Sequence, residues 1–318
     1  MAQFTVYSSG DASAPTLSGT ADSLCALLNA CLVDGYGAKA AAGWTRAYDD
    51  ANKSVFKQAA SGDSAIQACL RVLDDASGAG GAKEAICTGY ESMSDVDTGT
   101  NAIGTWYWRK SVSANATARD WILIADGRTF YLCNLSGDAA TLAYRRTYYF
   151  GDFYSYATAD LYRVIHGGGT TANSGGYLLA MYGGLATAAG GGKAIARNYL
   201  ATVGSYTPNL FTNASMAVNS TYLGGVMLRP NASDGSLIIT PWYITDNTTH
   251  ASPLVHGHLR GLYWMAHEPA TLNEGDTFSG TGLYAGRSFT VIYGSASATT
   301  TAFLRLMCYE TSDTVDTN

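Results

Sequence analysis

The sequence predicts a mainly β protein made of antiparallel, sandwich- or barrel-like sheets, with one N-terminal amphipathic helix. Two observations predict the sheets: short runs rich in aromatic and β-branched residues recur along the 318 residues, and turn-forming clusters separate them. Such residues suit a half-buried pleated surface. A third observation predicts the helix, because one segment near the N-terminus repeats its apolar residues with a helical period.

The predicted helix is defined by apolar residues three or four positions apart, which fall on one face of an α-helix. These residues are Leu24, Leu27, Leu28, Cys31 and Leu32. Ser18 or Thr20 can cap its start, and Asp22 favours its first turn. Gly35 stands where a residue in the left-handed conformation commonly ends a helix.

The clearest strand pair surrounds Asp126-Gly127. Two apolar runs, Trp121–Ala125 and residues 129–133, are separated by little more than this dipeptide. An Asp-Gly pair readily takes the positive φ angles of a type I′ turn. The two runs are therefore predicted to form a tight hairpin, with aromatic and β-branched residues in both arms.

Three aromatic residues, Trp106, Tyr107 and Trp108, precede this hairpin in the sequence. Alternate side chains of a strand point to opposite faces, so the two tryptophans lie on one side of the sheet and Tyr107 on the other. We expect one face of this sheet to belong to the core of the subunit and the other to meet a neighbouring chain. The three residues are therefore candidate interface aromatics.

Further strands are predicted on both sides of this hairpin. They are residues 4–7, 55–58, 66–73, 85–90, 105–108, 142–150, 160–165, 194–200, 222–228, 236–239, 242–245, 258–266, 288–293 and 302–309. A glycine-rich change of composition begins at Gly167 and ends at Gly192, and the run 177–182 within it suits a helix or a strand. We place a soft boundary near residue 157. Residues 1–156 then form the N-terminal helix and a β-rich domain, and residues 157–318 form a β-rich C-terminal domain; a single unit is the alternative.

The chain is poor in charge. Charged residues make up 14% of it, against roughly 25% in typical soluble domains. The net charge of −6 and the lack of a basic run argue against nucleic acid as a partner. Residues 1–6 show no secretory signal, and no stretch approaches the roughly 20 apolar residues of a membrane span. We therefore expect a product of the cytosol with no membrane partner.

Six cysteines are scattered through the chain without a C-x-x-C motif, which argues against zinc-finger or thioredoxin-type chemistry. Small buried thiols are one interpretation of them, and structural disulfides are the other. Cys69 and Cys87 lie on two runs joined by a turn-rich segment. If these runs form a hairpin, the two thiols come near opposition, which makes them the candidate disulfide.

His256-Gly-His258 is the nearest approach to a metal-binding motif, with His250 and His267 close in sequence. Alternate histidines on a strand point to one side and can chelate an ion such as zinc. No carboxylate or thiol stands at a matching spacing. We therefore predict a surface or interface pair and no metal.

Other motifs associated with catalysis or cofactors are incomplete. Gly190-Gly-Gly-Lys193 lacks the hydroxyl residue that follows the lysine of a P-loop, and the glycine clusters at 167–169 and 190–192 are predicted to be loops. The acidic pairs 49/50, 74/75 and 95/97 lack the spacing of a calcium loop and are predicted to be solvated turn residues. The Gly-x-Ser-x-Gly motif of serine hydrolases is missing. We expect neither a cofactor nor an enzyme.

Six segments, spread in order along most of the chain, together resemble segments of a known protein family. They read VYSSGDASAPTLSGTA (residues 6–21), ACLVDGYG (30–37), GYESMSDVDTG (89–99), YWRKS (107–111), GDFY (151–154) and GDTFSGTG (275–282). Together they resemble a family of structural proteins encoded in the genomes of tailed bacteriophages and prophages. The resemblance implies a virion component and brings no catalytic residues. The thiols at 25, 69, 87 and 308 are less typical of that family, and would fit a virion stabilised by disulfides.

The leading hypothesis is a non-enzymatic structural protein of a tailed-phage virion, made in the host cytoplasm. It is expected to form a homo-oligomer with other virion proteins as neighbours, in the neck, collar or tail region. Capsid decoration is an alternative. A binding module of the tail that recognises a host-surface glycan or receptor is another, and a glycan-cleaving enzyme is a third.

Overall fold

Antiparallel strands dominate the structure. The computed structural model describes residues 4–60, 64–137, 145–158, 160–170, 172, 191–198, 200–206, 208–211, 239–246, 254–265, 275–293 and 306–311. Every strand pair within these residues is antiparallel, and one short α-helix lies near the N-terminus. The prediction of a mainly β protein with an N-terminal helix is confirmed. The predicted strand 222–228 and the run 177–182 lie outside the described residues.

Among the described residues, the helical elements are α1 (Ser23–Asn29), a π-helical turn that continues it (Ala30–Asp34), and two 3₁₀ turns (Gly81–Lys83 and Gly282–Tyr284). The strands are β1 (Thr5–Ser8), β2 (Thr45–Asp50), β3 (Lys53–Lys57), β4 (Cys69–Leu73), β5 (Glu84–Met93), β6 (Gly99–Arg109), β7 (Trp121–Ala125), β8 (Thr129–Leu135), β9 (Arg145–Ser155), β10 (Val164–Gly169), β11 (Gly191–Arg197), β12 (Val203–Tyr206), β13 (Asn209–Phe211), β14 (Ile239–Asp246), β15 (Leu254–Met265), β16 (Thr277–Ser279), β17 (Ser288–Tyr293) and β18 (Leu306–Glu310).

The helix buries the apolar stripe that predicts it. Its members, Leu24, Leu27, Leu28, Cys31 and Leu32, all lie in the hydrophobic core. Gly35 follows the helical segment with φ at 79°, a positive angle that glycine adopts without steric cost. A side chain there would also clash, because an added Cβ would lie 2.6 Å from the Lys39 carbonyl oxygen.

The start of the helix differs from the expected capping. Asp22 occupies the N-cap position at φ 67°, and its side chain makes no capping hydrogen bond. The hydroxyls of Ser18 and Thr20 bond to each other at 2.8 Å. The cap comes from a residue distant in sequence, because the Asp74 carboxylate accepts the Leu24 N–H at 2.9 Å.

The strands form one hydrogen-bonded array that divides into three parts. In the first sheet, β2 to β6 follow one another as an antiparallel meander. In the middle sheet the order is β1-β7-β8-β9-β10-β11-β12. In the third sheet the order is β13-β14-β15-β18-β17-β16. A bridge between Tyr107 of β6 and Gly169 of β10 joins the first and middle sheets.

Strand β9 connects the middle sheet to the third sheet. Its first seven residues, Arg145 to Gly151, pair with β8, and its last three, Phe153 to Ser155, pair with β15. It also pairs with β10 along its other edge. The predicted boundary near residue 157 falls between β9 and β10, so it does not coincide with a break in the sheet.

The central strands of the middle sheet, β7 to β11, are buried on both faces. One face packs against the helix and the first sheet, and it presents Leu123, Ala125, Phe130, Leu132, Tyr148, Phe150, Val164, Ala194 and Ala196. The other face packs against the third sheet and presents Ile124, Tyr131, Cys133, Tyr149, Ile165 and Ile195. Strands covered on both faces carry continuous apolar runs. The hairpin expected to show one face to a neighbouring chain is therefore enclosed by its own chain.

The hairpin itself is present, but its turn is not of type I′. Strands β7 and β8 pair in register, with Ala125 opposite Phe130. The two residues of the loop are Gly127 and Arg128, and neither has a positive φ. The Asp126 carboxylate holds the turn instead, because it accepts the backbone N–H groups of Arg128 and Thr129, each at 2.8 Å.

The glycine clusters predicted to be loops correspond in part to paired strands. Gly168 of β10 lies directly opposite Gly192 of β11. An added Cβ at Gly168 would lie 2.6 Å from the Cβ of Trp106, and one at Gly192 would overlap the Trp106 ring. Glycine in a strand allows such a close approach. The clusters therefore make room for a tryptophan of β6, which the sequence near them cannot indicate.

Replacing Gly192 by alanine tests this packing. We expect Gly192→Ala to lower the free energy of unfolding by about 1–3 kcal/mol, because the added methyl displaces the Trp106 indole. Gly10→Ala is the matched control, since its added Cβ would meet nothing closer than 3.8 Å. Urea unfolding followed by tryptophan fluorescence measures both. Equal stability of the two variants would contradict the packing described.

Candidate functional site

The buried interior contains ion pairs, although the chain has few charges. In each of six pairs the acidic side chain is at most 6% exposed. The pairs are Asp74–Lys110, Asp152–Arg128, Glu91–Arg197, Asp160–His256, Asp126–Arg260 and Glu310–Arg287. A carboxylate withdrawn from water is costly unless it is paired and hydrogen-bonded. Much of the scarce charge is therefore used inside the molecule.

Asp74 and Lys110 form one of the two most deeply buried pairs, and Asp160 and His256 form the other. The Lys110 ammonium donates to the Asp74 carboxylate and to the carbonyl oxygen of Thr20. The other Asp74 oxygen caps the helix at Leu24. Burial raises the pKa of the Asp74 carboxyl to about 6, against the opposing attraction of Lys110. Asp74 was expected to be a solvated turn residue; it is buried, and its two carboxylate oxygens accept from the Lys110 ammonium and the Leu24 N–H.

A second network lies at the turn of the β7–β8 hairpin. Arg260 of β15 donates to Asp126 at 2.7 Å, and Arg128 donates to Asp152 at 2.8 Å. Arg128 also donates to the carbonyl oxygens of Ala59 and Ile66, each at 2.7 Å. Burial raises the pKa of the Asp152 carboxyl, although the Arg128 guanidinium opposes the shift. The hairpin turn is thus fixed to the third sheet and to the segment that precedes β4.

The two histidines of the H-x-H motif have separate partners. His256 Nε2 lies 2.8 Å from the Asp160 carboxylate, and His258 Nδ1 lies 3.0 Å from the Tyr156 hydroxyl. Both rings are buried, so the prediction of a surface pair is wrong. Among the described residues, no group of three or more potential ligands could hold a metal ion. His250 and His267 lie outside the described residues.

The candidate disulfide between Cys69 and Cys87 is not formed. The predicted hairpin is present, but its register places Cys69 opposite Tyr90 and Cys87 opposite Val72. Directly opposed residues share a face and successive residues alternate, so the offset of three residues puts the two thiols on opposite faces. Both thiols are free and buried, as are those of Cys25 and Cys31. The side chain of Cys308 lies outside the described set.

The three candidate interface aromatics have different environments. Trp108 is fully buried and stacks on Tyr148, with 4.8 Å between ring centroids. Trp106 is partly buried against the same core, and Tyr107 is partly exposed. Trp108 is therefore a core residue. A role at an interface stays a prediction for Trp106 and Tyr107.

Five exposed apolar side chains lie on three segments that meet near the end of β9. We define the apolar patch as Tyr156, Leu161, Leu200, Val203 and Val255, which are 44–68% exposed. Local contacts bring its three segments together. The Tyr156 N–H donates to the His256 carbonyl at 2.8 Å, and the Arg197 guanidinium lies 3.5 Å from the centre of the Tyr162 ring. Arg197 also donates to Ala201, in the turn that carries Leu200 and Val203.

The chemistry of this patch suits contact with another protein. Large apolar side chains that cluster on a surface commonly mark interaction sites, whereas single exposed ones are common. The sequence did not indicate the patch, because its residues come from three segments separated by about 40 and 50 positions. Only the pairing of β9 with β10 and β15 brings them together.

A scan against protein-family models finds no match to the chain, and a search of curated proteins finds none either. Within the residues that the structure describes, no helix has the length and apolar character needed to cross a membrane.

A double-mutant cycle tests the buried pair of Asp74 and Lys110. We expect Asp74→Asn to lower the free energy of unfolding by about 3–5 kcal/mol, because it leaves the lysine buried without a counter-charge. In the double variant with Lys110→Met the loss is smaller than the sum of the single losses. Asp97→Asn, in an exposed pair with Lys53, is the control and leaves stability nearly unchanged. If the losses of unfolding free energy in the two single variants simply add up in the double variant, the result would argue against the pair.

Proposed function

We propose that this protein is a non-enzymatic structural component of a tailed-phage virion. It is made in the host cytoplasm, assembles as a homo-oligomer, and contacts other virion proteins in the neck, collar or tail region. The observation that carries the proposal is the distribution of charge and apolar surface. Acidic and basic side chains pair in the interior, while apolar side chains cluster on the exterior.

This distribution supports assembly because exposed apolar surface is unfavourable in water, whereas exposed charged side chains are well solvated. A soluble monomer usually exposes many charged side chains and few contiguous apolar ones. Here the charged fraction is only 14%, and several of the charged residues are buried in pairs. An exterior of that kind is stabilised when neighbouring subunits cover it, as in permanent oligomers.

The resemblance of the sequence to structural phage proteins supports the virion setting. Its segments occupy positions that matter to the architecture. Residues 89–99 comprise the end of β5, the turn that follows it and the first residue of β6. Residues 151–154 lie where β9 passes from the middle sheet to the third sheet. Residues 275–282 lead into and follow β16. These are structural positions, in keeping with a protein that acts by assembly.

Recognition of a host-surface glycan is the rival function. Glycan-binding surfaces use exposed aromatic rings for stacking, but Trp44, Trp108, Trp121 and Trp242 are buried. Trp106 is only partly accessible. The burial of these rings favours assembly over glycan binding. It also means that Trp108→Ala would test the fold rather than a binding surface.

Replacement of one patch residue by aspartate tests the assembly directly. We expect the purified protein to form a homo-oligomer, and Leu200→Asp to shift it toward monomers, because the new charge must be desolvated at the contact. Leu283→Asp is the matched control, since Leu283 is 94% exposed and lies outside the patch. Light scattering coupled to gel filtration gives the mass of each. A wild-type monomer at all concentrations, or equal dissociation by both variants, would contradict the proposed interface.

Cryo-electron microscopy of the intact particle tests the virion setting separately. We expect ordered copies of this fold in the neck, collar or tail. Copies on the capsid surface would favour the decoration alternative. If purified virions lack the protein, the proposed function is wrong, whatever its oligomeric state.

A further inference from the structure

Lys193 of β11 is a buried lysine without a counter-charge. The residue is only 7% exposed. Among the described residues, no hydrogen bond or neighbouring charge acts on its amino group. By contrast, Lys110, Arg128 and Arg260 each contact a buried carboxylate. A charged group is rarely buried without such a partner. The ion pairs that stabilise the interior therefore do not account for Lys193.

The positions beside Lys193 carry no side chains. Gly167 of β10 lies directly opposite it, and Gly169 of β10 lies opposite Gly191 of β11. Opposed residues of a sheet share a face, and successive residues alternate between faces. Lys193 and the three glycines therefore share one face of the middle sheet.

This face packs against the third sheet. Ile165 and Ile195 lie opposite each other on it, and both belong to the hydrophobic core between the two sheets. Lys193 is two residues from Ile195 on the same strand, so its side chain starts from the same apolar face. The amino group thus combines an apolar environment with neighbours that are backbone alone.

The environment of Lys193 favours its neutral form. Burial lowers the pKa of the amino group to about 8, because the charged form is withdrawn from water and no carboxylate opposes the shift. At pH 8 about half of Lys193 is then unprotonated. For an exposed lysine, with a pKa of about 10.4, that fraction is below about 1%. The unprotonated amine carries the lone pair that makes lysine a nucleophile.

The surroundings select the electrophile. The small exposed fraction of Lys193 excludes bulky molecules. Addition of carbon dioxide would give a carbamate, whose negative charge would be buried without a basic partner. An aldehyde gives an uncharged product instead. The amine lone pair attacks the carbonyl carbon and a C–N bond forms. The carbonyl oxygen then leaves as water with the two amine hydrogens, and a C=N bond results.

We propose that Lys193 is a covalent modification site that takes a small, uncharged aldehyde as an imine. The imine replaces an unpaired ammonium group by a neutral one, which suits the apolar face on which it lies. The glycines beside Lys193 present no side chain to the added carbon atoms.

Reductive labelling with acetaldehyde tests the site. The wild-type protein is treated at pH 8 with limiting acetaldehyde and cyanoborohydride, which fixes each imine as a stable amine, and the labelled lysines are identified by peptide mass spectrometry. We expect Lys193 to be labelled at least about tenfold faster than the two controls, because far more of it is unprotonated. Lys110 is the control for burial, since it is paired with Asp74, and Lys53 is the control for exposure, since it is paired with Asp97. Labelling of Lys193 at a rate equal to or below that of Lys53 would overturn the proposal.

The variant Lys193→Met provides a measurement that needs no aldehyde. The unfolded chain keeps the lysine proton up to about pH 10.4, whereas the folded chain releases it near pH 8. Stability rises with pH wherever the unfolded state binds more protons. We therefore expect the urea midpoint of the wild type to rise, relative to that of Lys193→Met, between about pH 8 and pH 10. Lys53→Met is the control and should show no such difference. A constant difference between the wild type and Lys193→Met over this range would also overturn the proposal.

Discussion

Burial of the middle sheet on both faces is the constraint on which the rest of the structure depends. Side chains of β7, β8 and β9 alternate between two hydrophobic cores, one beneath the helix and one beneath the third sheet. Antiparallel sheets commonly leave one face to solvent, but in the described part of the chain the strands β7 to β10 of this sheet are covered on both faces. The layers on either side must therefore be joined to it, and the chain achieves this through β9 and β6, which pair across the layers.

Enclosure of the middle sheet also explains where the charges lie. Turns and strand ends that become buried carry polar backbone groups, and these need partners. Asp74 satisfies the start of the helix, and Asp126 and Asp152 satisfy the hairpin turn through Arg260 and Arg128. Each carboxylate then requires a basic partner of its own. The charged residues used in this way are not available to the exterior.

Local features of the fold were predictable from the sequence, and long-range features were not. The helix follows from an apolar stripe, and the β7–β8 hairpin follows from two adjacent apolar runs. The glycine strands could not be recognised, because the residue that requires them, Trp106, lies more than 60 positions away. The Asp74 cap and the patch around Tyr156 also depend on distant pairings. The disulfide prediction failed because a turn-rich connection does not fix the register of the strands it joins.

Hydrogen–deuterium exchange of the native protein tests most directly whether the middle sheet is enclosed on both faces. Amides in β8 and β9 should exchange only when the whole molecule unfolds, so their free energy of opening equals the free energy of unfolding in denaturant. Amides in β2, an exposed strand that pairs only with β3 among the described residues, should open at lower free energy. Exchange of β8 and β9 through local opening, at rates similar to β2, would contradict the enclosure.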